Sequence, residues 1–194
     1  MSEVDLAALA ADVRYLKDRT QIIDALNRYT RGLDRMDREL AMSAFHPDAT
    51  DDRDAPYDTV GQKERGRHPF GREARIDWLM EVLKPYKYTA HYITNFTIDI
   101  QGDEAHTETY VITAVLETEP GDWCVLGGAR YIDRLVRYED RWVIMHREVP
   151  LDFNVIVGTR RLPPETTWSL RNRDDRSYAR PLTLKPESLA RFGM

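Results

Sequence analysis

The chain has 194 residues, a formal net charge of −5 and a single cysteine, and these totals exclude several classes of protein. A chain of this length fits one domain with its own buried core. The negative charge argues against a nucleic-acid-binding protein, which normally presents a basic face. Cys124 alone cannot form an intrachain disulfide or a Cys-x-x-Cys metal site, and so low a cysteine content is typical of a reducing cytosol.

The N-terminus and the distribution of apolar residues predict a cytoplasmic protein. The first residues are acidic and lack the basic segment of a signal peptide. No apolar run approaches the roughly 18 residues that a membrane span requires. We therefore expect neither a membrane nor a nucleic acid as partner.

The first predicted element is a long amphipathic helix. Apolar residues recur at spacings typical of one helical face: Leu6, Leu9, Val13, Leu16, Ile23, Leu26 and Leu33. Gly32 marks its expected C-terminal end. Because the pattern is long for one small domain, we expect the first turns to extend beyond the globular body. There they would pack on a neighbouring subunit of a homo-oligomer, a dimer or a trimer.

A short second helix is predicted over Arg38–Phe45, with Asp37 as its N-cap. Pro47 ends it, because the residue before a proline disfavours the α conformation. A polar loop follows from Asp51 to Phe70, with one weak strand pattern at Tyr57–Val60.

Acidic residues and histidines in this region raise the question of a metal site. Asp51, Asp52 and Asp54 lie close together, but the regular spacing and the bidentate glutamate of an EF-hand are absent. A site made of His46, His68 and Asp52 can also be drawn, yet nothing in the spacing demands it. We therefore predict no metal and no cofactor.

A third helix is predicted over Gly71–Leu83, and after it the apolar period changes from about 3.6 to about 2. Four strands follow: His91–Ile100, Ala105–Leu116, Val125–Tyr138 and Trp142–Val149. Short turns join the first two and the last two as hairpins, and Pro120-Gly121-Asp122 marks the loop between them. Helices followed by antiparallel strands predict an α+β fold, in which a strongly curved sheet wraps around the helices as a cone with a pocket inside.

The predicted barrel domain spans residues 1–150. Residues 151–194 are rich in arginine and proline and show weak periodicity. We expect them to form a C-terminal extension that packs on the barrel mouth or on a neighbouring subunit.

Several short motifs resemble a known family. They are Leu26…Tyr29…Leu33-Asp34, Phe45-His-Pro-Asp-Ala49, Gly71…Trp78-Leu79, Thr89–Asn95, Gly127–Tyr131 and Arg141–Arg147. Their order and spacing resemble SnoaL-like proteins of the nuclear transport factor 2-like superfamily, of the scytalone dehydratase, hexachlorocyclohexane dehydrochlorinase and bile-acid 7α-dehydratase type. The resemblance implies a cone-shaped, cystatin-like α+β barrel of about six strands that holds a small hydrophobic substrate.

The resemblance also implies where the site lies. Asp34 and His91 match the catalytic Asp–His dyad of these enzymes. Tyr29 matches a position where the dehydrochlorinase has a lysine and the bile-acid enzyme a tyrosine, which favours a hydroxyl or carbonyl substrate over a chlorinated one. Arg147 matches the arginine that the dehydrochlorinase uses near its leaving group.

An Asp–His pair is a proton-transfer device. A carboxylate bonded to one ring nitrogen orients the other and stabilises the imidazolium that forms on proton abstraction. Tyr29 would stabilise enolate charge in the manner of an oxyanion hole, and Arg147 would bind an anionic group or a developing negative charge. We therefore predict a cofactor-independent lyase (a dehydratase) or isomerase that acts on a hydrophobic, cyclic, polyketide- or steroid-like substrate.

Other interpretations stand beside this one. Asp34 could simply close a helix, and Tyr29 could belong to the core. Arg147 could pair with Asp133 or Glu148 across strands. Because a fold does not fix function, the chain could also be a non-catalytic ligand-binding module or the structural β subunit of a ring-hydroxylating dioxygenase. A distance between Asp34 and His91 too long for a hydrogen bond would favour the binding module.

Overall fold

The structure is a computed structural model of the chain, and it describes residues 5–52, 71–117, 123–159 and 169–183. Its helices are α1 (Leu6–Asp34), α2 (Arg38–Met42) and α3 (Arg72–Leu83), with one 3-10 turn at Arg176–Tyr178. Its strands are β1 (Phe45–Asp52), β2 (Tyr86–Gln101), β3 (Glu104–Glu117), β4 (Trp123–Tyr138), β5 (Arg141–Glu148) and β6 (Leu151–Gly158). This composition confirms the predicted α+β class.

The six strands form one curved sheet in the order β1-β5-β4-β3-β2, with β6 paired to β4. β6 pairs with the first half of β4, whereas β5 pairs with its second half. The core lies between the sheet and the helices and is built of buried apolar side chains: Ile22, Leu26, Leu33, Phe45, Ile76, Leu135, Trp142 and Ile144. None of the described helices is long and apolar enough to span a bilayer.

α1 begins at a capped end and finishes in a close helix–helix contact. The Asp5 carboxylate accepts the backbone N–H groups of Ala7 at 2.9 Å and Ala8 at 3.2 Å, which satisfies two of the free donors of the first turn. Gly32 lies inside the last turn rather than beyond it. A Cβ there would lie 2.4 Å from the Ala41 backbone nitrogen. Gly32 is therefore required because α2 approaches it closely, and not because the helix ends at this residue.

The second helix is shorter than predicted, and a strand takes the place of its end. Asp37 is the N-cap as predicted, and its carboxylate accepts the Leu40 N–H at 3.3 Å. The prediction was wrong beyond Met42, because Phe45 and the residues after it pair in parallel with β5 as strand β1. Pro47 is compatible with this strand because β1 lies at the edge of the sheet.

α3 and the four predicted strands are present, and β2 is longer than predicted. It begins at Tyr86, so His91 lies inside the strand rather than at its start. The turn Glu139–Asp140 has positive φ at both residues, 47° and 61°, as a two-residue type I′ hairpin turn requires. The weak strand pattern at Tyr57–Val60 and the loop at Pro120-Gly121-Asp122 lie outside the described residues.

The sheet continues beyond residue 150 with a strand that the sequence analysis missed. β6 pairs with β4 from Leu151 opposite Ala129 to Gly158 opposite Trp123. All of its residues are exposed, so no alternation of buried and exposed positions accompanies it. Further along the chain, residues 169–183 contact the turn that follows α1, through hydrogen bonds to Met36 and Asp37. The division of the chain into two parts at residue 150 stays a prediction.

Candidate active site

A cavity opens on the inner side of the sheet, next to α1 and α3. It holds about 1040 Å³ of empty space with its open mouth included. Most lining residues are apolar or aromatic: Leu33, Trp78, Leu79, Leu83, Tyr86, Val115, Trp123, Val125, Ala129, Val149, Leu151 and Phe153. Polar or hydroxyl-bearing side chains also line it: Tyr29, Tyr86, His91, Thr113, Tyr131 and Asn154. An apolar cavity with a few polar groups is typical of a small-molecule site.

His91 and Asp34 are joined by two hydrogen bonds. His91 Nδ1 lies 2.7 Å from Asp34 Oδ1, and the His91 backbone N–H donates to Asp34 Oδ2 at 3.0 Å. The side chains are 11% and 13% exposed. An ionised carboxylate only accepts hydrogen bonds, so a contact with it requires a proton on Nδ1, and in the neutral ring the lone pair then lies on Nε2. Nε2 has no hydrogen-bond partner among the described residues.

His91 forms part of the wall between two openings. Its side chain lines the apolar cavity on one side and a shallower groove that includes Asp34 on the other. The structure thus brings together Asp34 and His91, which are 57 residues apart in the sequence and which the sequence analysis paired. A base with one nitrogen fixed by a carboxylate and the other available is what proton abstraction requires.

Asp34 occupies an unfavourable position for a carboxylate, since it is the last residue of α1. The carbonyl end of a helix carries partial negative charge and repels an anion. Arg31 lies in the same last turn, and Arg171 lies near Asp34 in space. Burial lowers the pKa of Arg171, while the negative charge of Asp34 acts in the opposite direction. The positive charges of the neighbouring arginines and the hydrogen bonds from His91 therefore offset the repulsion between the helix end and the Asp34 carboxylate.

A β-bulge keeps His91 on the inner face of β2. Asn95 has a φ of 49°, and the register against β3 shifts between Thr94 and Phe96. An extra residue reverses the alternation of faces along a strand. Because of it, His91 and Ile93 before the bulge and Phe96 after it all face inward, toward the cavity or the core.

Two polar residues that the sequence analysis missed share a row with His91. Across the sheet, His91 lies opposite Thr113, Thr113 opposite Gly127, and Gly127 opposite Asn154. A Cβ on Gly127 would lie 2.8 Å from Thr113 Oγ1 and 3.6 Å from Asn154 Oδ1. The glycine therefore leaves a notch in which both polar side chains lie beside the cavity.

The sequence contains a signal for only one of these two residues, Thr113. A glycine pair inside a predicted strand indicates close approach of another group, and Gly127-Gly128 is such a pair. That signal could have indicated Thr113 through the hairpin register. Asn154 had none, because its strand was not predicted.

Tyr29 belongs to both the core and the cavity. It is 1% exposed, and its ring meets those of Phe45 and Tyr131 edge-on, with centroids 5.2 Å and 5.9 Å apart. Such aromatic pairs contribute about 0.5–1.5 kcal/mol beyond their buried area. Tyr131 lines the cavity as well, and the sequence analysis did not single it out as a site residue.

Arg147 lies beneath these tyrosines and is not among the described residues that line the cavity. It forms a fully buried bidentate pair with Asp133, its partner across β4 and β5, at 2.6 Å and 2.7 Å. Its guanidinium carbon lies 3.9 Å from the ring centre of Tyr131 and 4.6 Å from that of Tyr29. Burial alone would lower the pKa of Arg147, but Asp133 outweighs it and raises the pKa. The expected contact with a leaving group is thus replaced by the alternative pairing with Asp133.

Among the described residues, no group of three or more His, Cys, Asp and Glu side chains is placed to hold a metal ion. The site drawn from His46, His68 and Asp52 includes His68, which lies outside those residues. His46 itself lies in β1.

Residues 14–148 match the model of the SnoaL-like domain family. The chain belongs to this family. Over 135 residues it is 27% identical to the uncharacterized protein Rv2910c of Mycobacterium tuberculosis, a match that covers 70% of this chain and 86% of that protein.

Several solved structures share the fold. The hexachlorocyclohexane dehydrochlorinase LinA type 2 superposes with a TM-score of 0.64 at 22% identity, over 80% of this chain and 99% of its own. A scytalone dehydratase candidate from Novosphingobium aromaticivorans gives 0.61 at 19% identity, over 82% and 99%. An NTF2-like protein with a cystatin-like fold from the same organism gives 0.56 at 22% identity, over 77% and 92%. At these identities the likeness shows the fold, and it confirms the predicted NTF2-like architecture.

Proposed function

We propose that the chain is a cofactor-independent lyase of the dehydratase type, or an isomerase, that acts on a hydrophobic cyclic substrate of polyketide or steroid character. The observation that carries the proposal is the 2.7 Å contact between His91 Nδ1 and Asp34 Oδ1. The family and the fold support a lyase-type or a ligand-binding role, since similar structures include a dehydrochlorinase and a scytalone dehydratase candidate. The short contact favours the lyase-type role over the binding module.

In the proposed reaction, Nε2 of His91 removes a proton from the carbon next to a substrate carbonyl. The electrons of the broken C–H bond form an enolate, and Asp34 stabilises the imidazolium. If the imidazolium returns the proton to a β-hydroxyl group, water leaves and a conjugated double bond forms. If it returns the proton to another carbon, the double bond migrates. Either way the proton taken is the proton returned, so no co-reactant is consumed.

The enolate oxygen needs hydrogen-bond donors, and we assign this role to the polar lining. Tyr29 and Tyr131 offer O–H groups, and Asn154 offers an amide N–H. One such preorganised donor contributes about 10²–10³-fold to rate in acyl-transfer enzymes. Arg147 acts through the two tyrosine rings that it contacts rather than on the substrate.

We also propose that the protein works in the cytoplasm as a homo-oligomer, a dimer or a trimer. The support is a set of exposed apolar side chains on the strands outside the cavity lining: Tyr92, Tyr110, Ile112, Ile132, Val155, Ile156 and Val157. Exposed apolar residues that lie together mark surfaces which another protein covers.

Hydrogen–deuterium exchange tests the proposed chemistry without knowledge of the leaving group. The protein is incubated in D₂O with a panel of cyclic ketones and cyclic β-hydroxy ketones, and NMR follows exchange at the α carbon and loss of water. We expect catalysed exchange for at least one compound and a loss of at least about 100-fold in His91→Ala. His106→Ala removes an exposed histidine of β3 and serves as the matched control.

Two results would contradict the proposal. Exchange in His91→Ala at the wild-type rate would remove His91 as the base. Thermal stabilisation by panel compounds without any exchange would establish the ligand-binding role instead.

A further inference from the structure

α1 carries two apolar stripes on different sides. The barrel stripe, in its second half, consists of Ile22, Leu26, Tyr29 and Leu33, all buried. The outer stripe, in its first half, consists of Leu6, Leu9, Val13 and Leu16, which are 49–74% exposed. At about 100° per residue, the two stripes are centred about 150° apart around the helix axis. The outer stripe is therefore not a continuation of the face that packs into the barrel.

The outer stripe has the spacing of a coiled-coil seam. Its four residues fill the a and d positions of two successive heptads, and Thr20 and Ile23 take the next pair. Thr20 is exposed and Ile23 is partly exposed, so the seam stays accessible over its whole length. Only Thr20 among these positions is polar.

The charges beside the seam favour a parallel pair of helices. In a parallel two-stranded coil, a g residue faces the e residue five positions later on the other helix. Asp12 at g would face Lys17 at e, and Arg19 at g would face Asp24 at e, so both contacts join opposite charges. Antiparallel helices pair g with g and e with e, and the register that overlaps the whole seam sets Asp12 against Arg19 twice and leaves Lys17 opposite Ala10. The parallel pair forms four opposite-charge contacts against two in that antiparallel register, so the charges favour the parallel arrangement.

The barrels do not obstruct this arrangement. Because the barrel stripe lies on the far side of α1 from the seam, the two globular bodies would lie on the outer sides of the paired helices. Isolated helices of about 12–15 residues are only marginally stable in water. Here the second half of α1 is already helical against the barrel, and Asp5 caps the first turn. Pairing therefore does not have to nucleate a helix.

We propose that the first half of α1 forms a parallel two-stranded coiled coil with a second copy of this chain. The interface is the outer stripe together with the flanking Asp12–Lys17 and Arg19–Asp24 contacts. Leu16 and Asp34 are separated along one helix by about 27 Å. The coiled coil is thus independent of the cavity and of the proposed reaction.

Light scattering coupled to size-exclusion chromatography, over a range of protein concentrations, tests the interface. Lys17→Asp sets like charges against Asp12 twice in the symmetric dimer, and we expect at least about tenfold weaker association. The exchanged pair Asp12→Lys with Lys17→Asp should restore it. Arg14→Glu changes an exposed charge at the b position, outside the seam, and should leave association unchanged.

Disulfide trapping tests the parallel register. In a Cys124→Ser background, Val13→Cys places two thiols opposite each other at an a position, and we expect a covalent dimer on mild oxidation. Tyr15→Cys lies away from the seam at position c and should not cross-link. Leu16→Glu, which places a charge at a d position of the seam, should also abolish association. A monomeric wild-type protein, an oligomer unaffected by both Lys17→Asp and Leu16→Glu, or equal cross-linking of both cysteine variants would each overturn the proposal. The second result would assign self-association to the exposed strands instead.

Discussion

Two pairs, each made of a carboxylate and a basic side chain, have similar contact lengths but different surroundings. Asp133 and Arg147 form a sealed pair, with no exposed surface and both carboxylate oxygens on the guanidinium, at 2.6 Å and 2.7 Å. Asp34 and His91 form an open pair, with a 2.7 Å contact and side chains 13% and 11% exposed. Only the open pair contributes a side chain to the lining of the cavity.

The difference shows that distance alone does not distinguish a structural pair from a reactive one. A guanidinium is not deprotonated in proteins, so Arg147 cannot accept a proton from a substrate. Its partner fixes it under two tyrosine rings, where it supports the floor of the cavity. An imidazole can accept a proton, and His91 keeps the required nitrogen available at the cavity wall. Access to the cavity and the chemistry of the basic side chain therefore separate the two roles.

Breaking the sealed pair gives the largest expected effect on stability. Arg147→Met leaves the Asp133 carboxylate buried without its cation, and loss of one partner of a buried pair costs about 3–5 kcal/mol. The free energy of unfolding from urea titration measures it. Adding Asp133→Leu should recover most of the loss, because apolar residues can replace a buried pair. An unchanged unfolding midpoint in Arg147→Met would show that the pair does not hold the barrel together.

Breaking the open pair should affect activity more than stability. Asp34→Asn keeps the size of the side chain but removes the charge that stabilises the imidazolium. We expect α-proton exchange to fall by about 100-fold or more, with the free energy of unfolding within about 1 kcal/mol of wild type. The exchange assay and urea titration on one sample give both numbers. A stability loss as large as that of Arg147→Met, with exchange retained, would make the open pair structural as well.

Local patterns in the sequence predicted much of the fold. The buried face of α3 and the four long strands follow from apolar periodicity, and the His91–Asp34 pairing follows from a resemblance that the family match supports. β1 was missed because its residues contain Pro47 and are mostly polar, and its pairing partner lies about a hundred residues away in β5. β6 was missed because all of its residues are exposed.

The details that decide the site are less visible in a sequence. The bulge at Asn95 changes which residues of β2 face inward, and periodicity gives no sign of a single reversal. Arg147 had two candidate partners, and only the register of β4 against β5 places Asp133 opposite it. Long-range register therefore determines which polar residues reach the cavity.

A third carboxylate, Asp175, stabilises the segment of residues 169–183, which lies beside the open pair. It accepts the N–H groups of Leu170 at 2.8 Å and Ser177 at 3.0 Å, and it pairs with Arg35 at 3.5 Å. Burial alone would raise the pKa of Asp175, but hydrogen bonds from Ser177 and Leu170 and the charge of Arg35 outweigh it and lower the pKa to about 2. The ordinary pKa of aspartate is about 3.9. The contribution to stability is therefore fully present above about pH 4 and is lost as the pH falls through about 2.

The expected effect of this titration is the smallest of the three, because it loosens one segment rather than the barrel. Hydrogen exchange of residues 169–183, corrected for the intrinsic rate and referred to β3, should rise about 20-fold between pH 4 and pH 2, because the pKa of Asp175 is lowered by nearly two units and each unit corresponds to about 1.4 kcal/mol. Asp175→Asn should raise it already at pH 7 and flatten the pH dependence. Asp174→Asn, an exposed neighbour, should behave as wild type. Equal acid sensitivity in Asp175→Asn and wild type would assign the effect to another carboxylate, such as Asp37, whose carboxylate accepts a hydrogen bond from Tyr178 in the same segment.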